Sequence, residues 1–98
     1  MSKLTIVATL EATEGSFEDL LALVKQHAKR CLKLEPGCLY FDIMVPQEQH
    51  NQITLYEIYK DQAALDDHLT TDHMEQFRKE RSPYFKSAQA STCDLLEF

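Results

Sequence analysis

Residues 38–59 read CLYFDIMVPQEQHNQITLYEIY. Two runs rich in β-branched and aromatic residues flank the polar connection PQEQHNQ, the pattern of two strands joined as a hairpin. In the first run, 38–45, Leu39, Phe41, Ile43 and Val45 share one face, while Cys38, Tyr40 and Met44 share the other. In the second, 53–59, Leu55, Glu57 and Tyr59 alternate with Tyr56 and Ile58. Both faces of this hairpin are apolar enough to need cover. Helices can supply one cover, and a second sheet packed on the other face supplies the next.

Working outward decides the topology. Residues 4–10 alternate, with Leu4, Ile6, Ala8 and Leu10 on one face, and read as a strand. Ser16, with Asp19 three residues on, reads as a helix N-cap. Phe17, Leu20, Leu21, Val24, His27, Ala28 and Cys31 then fall at helical spacing and form one apolar stripe. The EPG at 35–37 stops that helix. Beyond the hairpin, Asp61 caps the short helix QAALDDHL, and TTD breaks it. Asp72 with Glu75 starts another helix, which runs to about Ser82, with Pro83 at its end. The tail AQASTCDLLEF, 88–98, reads as a fourth strand. The order is β-α-β-β-α-β with the second helical element split. That predicts a ferredoxin-like α+β domain spanning 1–98, an antiparallel sheet with its helices on one face.

Composition narrows the function. A chain of 98 residues buries only about 60–65% of the surface that its unfolded form exposes, so pairing with a second copy is expected. The net charge is −6, and the ten basic residues form no cluster that would track phosphates. Nucleic acid and anionic membranes are therefore not expected as partners. Cys31, Cys38 and Cys93 are odd in number and match no zinc or redox spacing, which suits reduced thiols in a cytoplasm. The N-terminus has the look of a strand and not of a signal peptide. No apolar run approaches the ~20 residues of a membrane helix.

Chemistry concentrates between Glu57 and His73. Glu57 shares a strand face with Leu55 and Tyr59; if that face looks at the helices, a carboxylate points into apolar space and needs a partner, either His68 or an arginine, Arg78 or Arg81. His68 follows Leu65 by three and faces inward. His73 falls in the first turn of its helix, where the dipole favours a neutral imidazole able to accept a proton. His27 lies on the apolar stripe of the first helix and reaches the same space. A spacing of five between His68 and His73, interrupted by TTD, is not a metal motif, and no metal is expected. With only Gly15 and Gly37, the chain offers no phosphate cradle for a nucleotide or flavin.

The blocks EPGCLYFDI and LYEIYKDQAALDDHLTTDHMEQF resemble the antibiotic biosynthesis monooxygenase family, over nearly the whole chain. The resemblance implies a homodimer with two sheets face to face and a pocket between sheet and helices in each protomer. Some members oxygenate quinols or polyketide anthrones without metal, flavin or haem: the deprotonated substrate itself meets O₂, and the protein supplies a base and an apolar pocket. Another branch, with a histidine in its first helix, contains an isomerase of phosphorylated autoinducer-2, and His27 fits that pattern. The chain has no tryptophan, a departure from some polyketide-oxidising members. The reading is a cofactor-independent monooxygenase of a small hydroxylated aromatic or quinol-like compound, with O₂ as co-substrate. Glu57 and His68 are its catalytic pair. His27 and His73 bind substrate oxygens, and Tyr59 and Phe41 form the walls. An isomerase, or a ligand-binding dimer without turnover, are the alternatives.

Overall fold

The structure, a computed structural model, describes residues 2–98. Strand β1 spans Leu4–Ala12, helix α1 Phe17–Leu34, β2 Cys38–Met44, β3 Gln52–Tyr59, α2 Gln62–Leu69 and α3 Asp72–Arg81. A 3₁₀ turn, Ser82–Tyr84, leads into β4, Phe85–Asp94. The sheet order is β2-β3-β1-β4, and every neighbouring pair is antiparallel. This is the ferredoxin-like α+β architecture that the hairpin and its flanking helices predicted.

Alternation decides which face carries the core. On β1, Leu4, Ala8, Leu10 and Ala12 are buried, and on β3 Ile53, Leu55, Glu57 and Tyr59. Helix α1 answers with Leu20, Val24, His27, Ala28 and Cys31, four or fewer residues apart along one stripe. Strand β4 is different, for it is exposed along nearly its whole length. On the helix side it presents small residues, with Ala88 paired to Leu10, Ala90 to Ala8 and Thr92 to Ile6. Where large side chains would have met the helices, these small ones leave room.

Several local expectations shift. Cys38 is buried in the core and does not share the outer face with Tyr40, because the β2–β3 register slips between Cys38 and Tyr40. The slip turns Leu39 out to solvent, 44% exposed. Strand β2 ends at Met44, leaving Val45 outside it. Ser16 occupies the N-cap position of α1 but makes no side-chain cap bond. Thr71, and not Asp72, caps α3, its hydroxyl accepting from the Met74 amide at 3.2 Å. Asp61 caps α2 as read, accepting from the Ala64 amide at 2.9 Å. Strand β4 starts earlier than residue 88 and stops before 95. Among the described residues, no helix is long and apolar enough to cross a membrane.

Candidate active site

Four elements bring titratable side chains to one place. Helix α1 carries His27, Cys31 and Glu35 at i, i+4 and i+8, so all three lie along its inner stripe. Glu35 is the C-cap residue itself, and its amide closes the last turn on the Cys31 carbonyl at 3.0 Å. Strand β3 contributes Glu57 and Tyr59, two apart and therefore on the same face. The break at residues 70–71 lets His68, late in α2, and His73, early in α3, turn their rings toward the same point.

Glu57 is 5% exposed and bonded to its strand neighbour, the Tyr59 hydroxyl donating to Oε1 at 2.6 Å. Burial pushes the Glu57 carboxyl above its usual range; the Tyr59 bond opposes that rise without cancelling it. His68 Nε2 stands 3.9 Å from Glu57 Oε1, too far for a direct hydrogen bond. The other ring nitrogen of His68, Nδ1, lies 3.0 Å from both carboxylate oxygens of Glu35. His73 Nε2 meets Glu35 Oε2 at 2.5 Å. Burial would raise the Glu35 carboxyl, but the bonds from His73 and His68 outweigh it and hold it below the usual range.

An ionised Glu35 only accepts hydrogen bonds. Both imidazoles therefore donate to it, and a neutral His68 carries its proton on Nδ1. Its Nε2 is left bare, aimed past Glu57. His27 stacks flat on Phe77, centroids 4.2 Å apart and planes 7° from parallel. Burial first, then the neighbouring His68 and His73, lower its pKa to about 3, so it is a neutral ring. Its Nε2 lies 3.4 Å from Cys31 Sγ. Burial, with Glu35 nearby, pushes the Cys31 thiol up, so it rests protonated.

A cavity of about 280 Å³ opens between the small residues of β4 and the helices. Its polar floor is Glu57, His68 and His27, its walls are aliphatic and aromatic, and Arg81 stands in the lining. Arg81 stacks over Phe85 at 4.1 Å and Phe77 at 5.1 Å. An apolar cavity of 150 Å³ takes a benzene ring, so this one is sized for about one or two fused rings.

Of the residues named from sequence, Glu57, His68 and His27 line the cavity. His73, Tyr59 and Phe41 do not. His73 lies behind His68, in a separate cleft shared with Glu35. Tyr59 is fully buried and holds Glu57 from beneath. Phe41 packs into the core and meets His27 edge-on at 6.2 Å. Sequence reasoning missed Glu35, read only as part of a helix stop, and named Arg81 only as a candidate ion-pair partner of Glu57, not as part of a cavity lining. The spacing His27, Cys31, Glu35 was the available signal for the first. Among the described residues, Cys31, Glu35, His68 and His73 also form a group whose potential ligand atoms all lie within 4.8 Å of one another.

A sequence model of the antibiotic biosynthesis monooxygenase family matches residues 3–80. No curated protein matches the chain. Solved structures do. Protein PA3566 from Pseudomonas aeruginosa superposes with a TM-score of 0.89 at 24% identity, covering 99% of this chain and 97% of its own. A protein from Caulobacter crescentus, provisionally named an antibiotic biosynthesis monooxygenase, gives 0.92 at 21%, covering 98% and 92%. One so named from Nitrosomonas europaea gives 0.89 at 18%, covering 97% and 91%. At these identities the structural likeness speaks for the fold.

Proposed function

The chain belongs to the antibiotic biosynthesis monooxygenase family, and from that premise we propose that it inserts one atom of O₂ into a small hydroxylated aromatic or quinol-like compound without a resident cofactor. One observation carries the reading. At the floor of an apolar cavity, a buried carboxylate, Glu57, and a bare imidazole nitrogen, His68 Nε2, stand 3.9 Å apart and face one spot. A substrate hydroxyl seated there has two acceptors within reach. The elevated Glu57 carboxyl is suited to take a proton and to return it.

The steps balance as follows. The substrate O–H proton moves to Glu57, and the resulting anion gives one electron to O₂. The two radicals combine, forming a carbon–oxygen bond, and the base returns its proton to the distal oxygen as a hydroperoxide. Glu57 then takes the proton from that carbon, the O–O bond breaks, and the departing hydroxide collects the proton as water. A C–H has become a carbonyl, with one oxygen atom kept and one lost as water. The bare Nε2 of His68 is a second acceptor that orients the substrate hydroxyl before its proton leaves, and the apolar walls keep water from the peroxide.

His27 in the cavity lining supports a second reading, an isomerase that moves protons with the same groups and needs no O₂. Oxygen uptake with a panel of dihydroxynaphthalenes and hydroquinones tests the choice. Uptake equal to product formed supports the monooxygenase. Undiminished turnover in the absence of oxygen would sink it and leave the isomerase. The face of the sheet without helices supports a homodimer: Val7, Tyr40 and Met44 there are 39–45% exposed, and Tyr40 meets Tyr56 edge-on at 6.1 Å.

A further inference from the structure

Behind the cavity floor, the chain gathers one thiol, one carboxylate and two imidazoles. We propose that Cys31, Glu35, His68 and His73 form a site for a divalent cation of Zn²⁺ type, reached from the far side of the helices and sharing only His68 with the substrate cavity. The site does not depend on which reaction the cavity performs.

The donor atoms converge. His68 through Nδ1 and His73 through Nε2 point at one carboxylate, at 3.0 and 2.5 Å. Cys31 lies one helical turn before Glu35, with Sγ 3.9 Å from His68 Nδ1. Around a tetrahedral Zn²⁺, with bonds of about 2.0–2.3 Å, ligand atoms lie roughly 3.3–3.7 Å apart. The separations here bracket that range, so the set needs only side-chain shifts of the order of 1 Å. The ligands sit on the inner stripe and C-cap of α1, late in α2 and early in α3. Two nitrogens, a thiolate sulfur and one carboxylate oxygen suit Zn²⁺, and disfavour Mg²⁺ and Ca²⁺, which want oxygen. The spacing of His68 and His73 hid the site because they occupy two helices, and the break between those helices swings both rings inward.

The outer partners of such a site are already present. A metal-bound histidine ordinarily donates its other N–H to a carboxylate. Once a metal holds His68 Nδ1, its proton resides on Nε2, and the carboxylate nearest to it, Glu57 Oε1 at 3.9 Å, comes within bonding distance with a shift of about 1 Å. Cys31 Sγ has the His27 Nε2 beside it at 3.4 Å, a donor to a thiolate in the tautomer that carries its proton there. There is also a way in: a cleft of about 610 Å³, lined by Glu35, His73, Arg30 and Asp72, meets the surface away from the cavity. Without metal the same groups satisfy one another, since no buried side-chain polar atom lacks a partner among the described residues. The cation is thus an optional occupant, and one with a consequence. It turns His68 Nε2 from an acceptor facing the cavity into a donor.

Co²⁺ reports the site without a substrate. Full-length protein, freed of metal by a chelator, is titrated with Co²⁺ and followed by visible and near-ultraviolet absorption. One equivalent per chain is expected, with strong tetrahedral bands and a thiolate-to-cobalt charge-transfer band, both bleached by Zn²⁺. Cys31→Ser should remove the charge-transfer band with circular dichroism unchanged, and the exposed Cys93→Ser should keep it. His73→Gln should weaken Co²⁺ binding by at least the roughly 10–100-fold that losing an outer partner costs. Failure to bind Co²⁺ at one equivalent overturns the proposal. So does a charge-transfer band that survives Cys31→Ser or vanishes in Cys93→Ser.

Discussion

Replacing Glu35 by glutamine isolates what the buried carboxylate does, because it preserves volume while removing the charge and turning one acceptor oxygen into a donor. In the native chain, Glu35 accepts from His68 and from His73, two bonds to an ionised group worth about 1.5–3 kcal/mol each. Glutamine has one acceptor oxygen. At 2.5 Å the His73 bond is the tighter, so the oxygen stays with His73 and the amide NH₂ faces His68 Nδ1. Two donors cannot face each other there, so the His68 proton moves to Nε2. The variant keeps both contacts as neutral bonds and avoids burying a charge, so the net destabilisation falls well below the sum, at about 1–3 kcal/mol. In a domain of this size each kcal/mol lowers Tm by about 4–8 °C. The functional loss is larger, about 10²–10⁴-fold in turnover, since His68 no longer accepts at the cavity floor. Long-range ¹H–¹⁵N correlation of the imidazoles reads the tautomer directly, and urea unfolding reads the stability. If His68 in Glu35→Gln still carries its proton on Nδ1 and stability is unchanged, Glu35 does not set the tautomer and the reasoning fails.

Tyr59→Phe should leave Glu57 buried without its 2.6 Å donor, costing about 1–3 kcal/mol in urea unfolding and most of the turnover; a variant as stable and active as the parent would show that Glu57 finds another partner. Gly37→Ala should be destabilised by about 1–3 kcal/mol, because a β-carbon there would sit 2.3 Å from the Ala64 β-carbon and push α2 off β2; an unchanged melting curve would mean that α2 yields freely. Sedimentation equilibrium at micromolar concentration should give twice the 11.3 kDa chain mass, and Tyr40→Glu on the outer face should shift it toward the monomer; a parent that sediments at 11.3 kDa removes the dimer.

The fold was legible because each of its elements carries its own period. The alternation in 53–59 placed Glu57 and Tyr59 on one face with Leu55, the face that the structure turns to the helices, and the stripe from Phe17 to Cys31 oriented α1. Misreadings fall where a single residue breaks the period. At Cys38 the strand pairing slips, and two-residue counting then assigns Cys38 to the wrong face. At Thr71 two hydroxyls and an aspartate adjoin, any of which can cap, and only the backbone turn decides which one does. Strand β4 was undercounted because the part before Ala88, Phe85 to Ser87, holds a single apolar residue and is too short to show an alternation.

The site was half legible for a different reason. Glu57, His68 and His27 were visible because each is a polar group on an apolar face, and such a group demands explanation wherever it is found. Glu35 carries no such mark. It falls beside a proline and a glycine that account for the end of the helix, and an acidic residue at a helix end reads as solvated. Only its separation from Cys31, one turn, and from His27, two turns, puts it on the inner stripe, and that stripe matters only once α2 and α3 deliver His68 and His73 against it. The function of the carboxylate is thus a property of three elements together. His68 is useful to the cavity through Nε2 because Glu35 occupies Nδ1 from behind. On the proposed reading, what faces the substrate is set by a residue that the substrate does not touch, and by whether a proton or a cation lies between that residue and the ring.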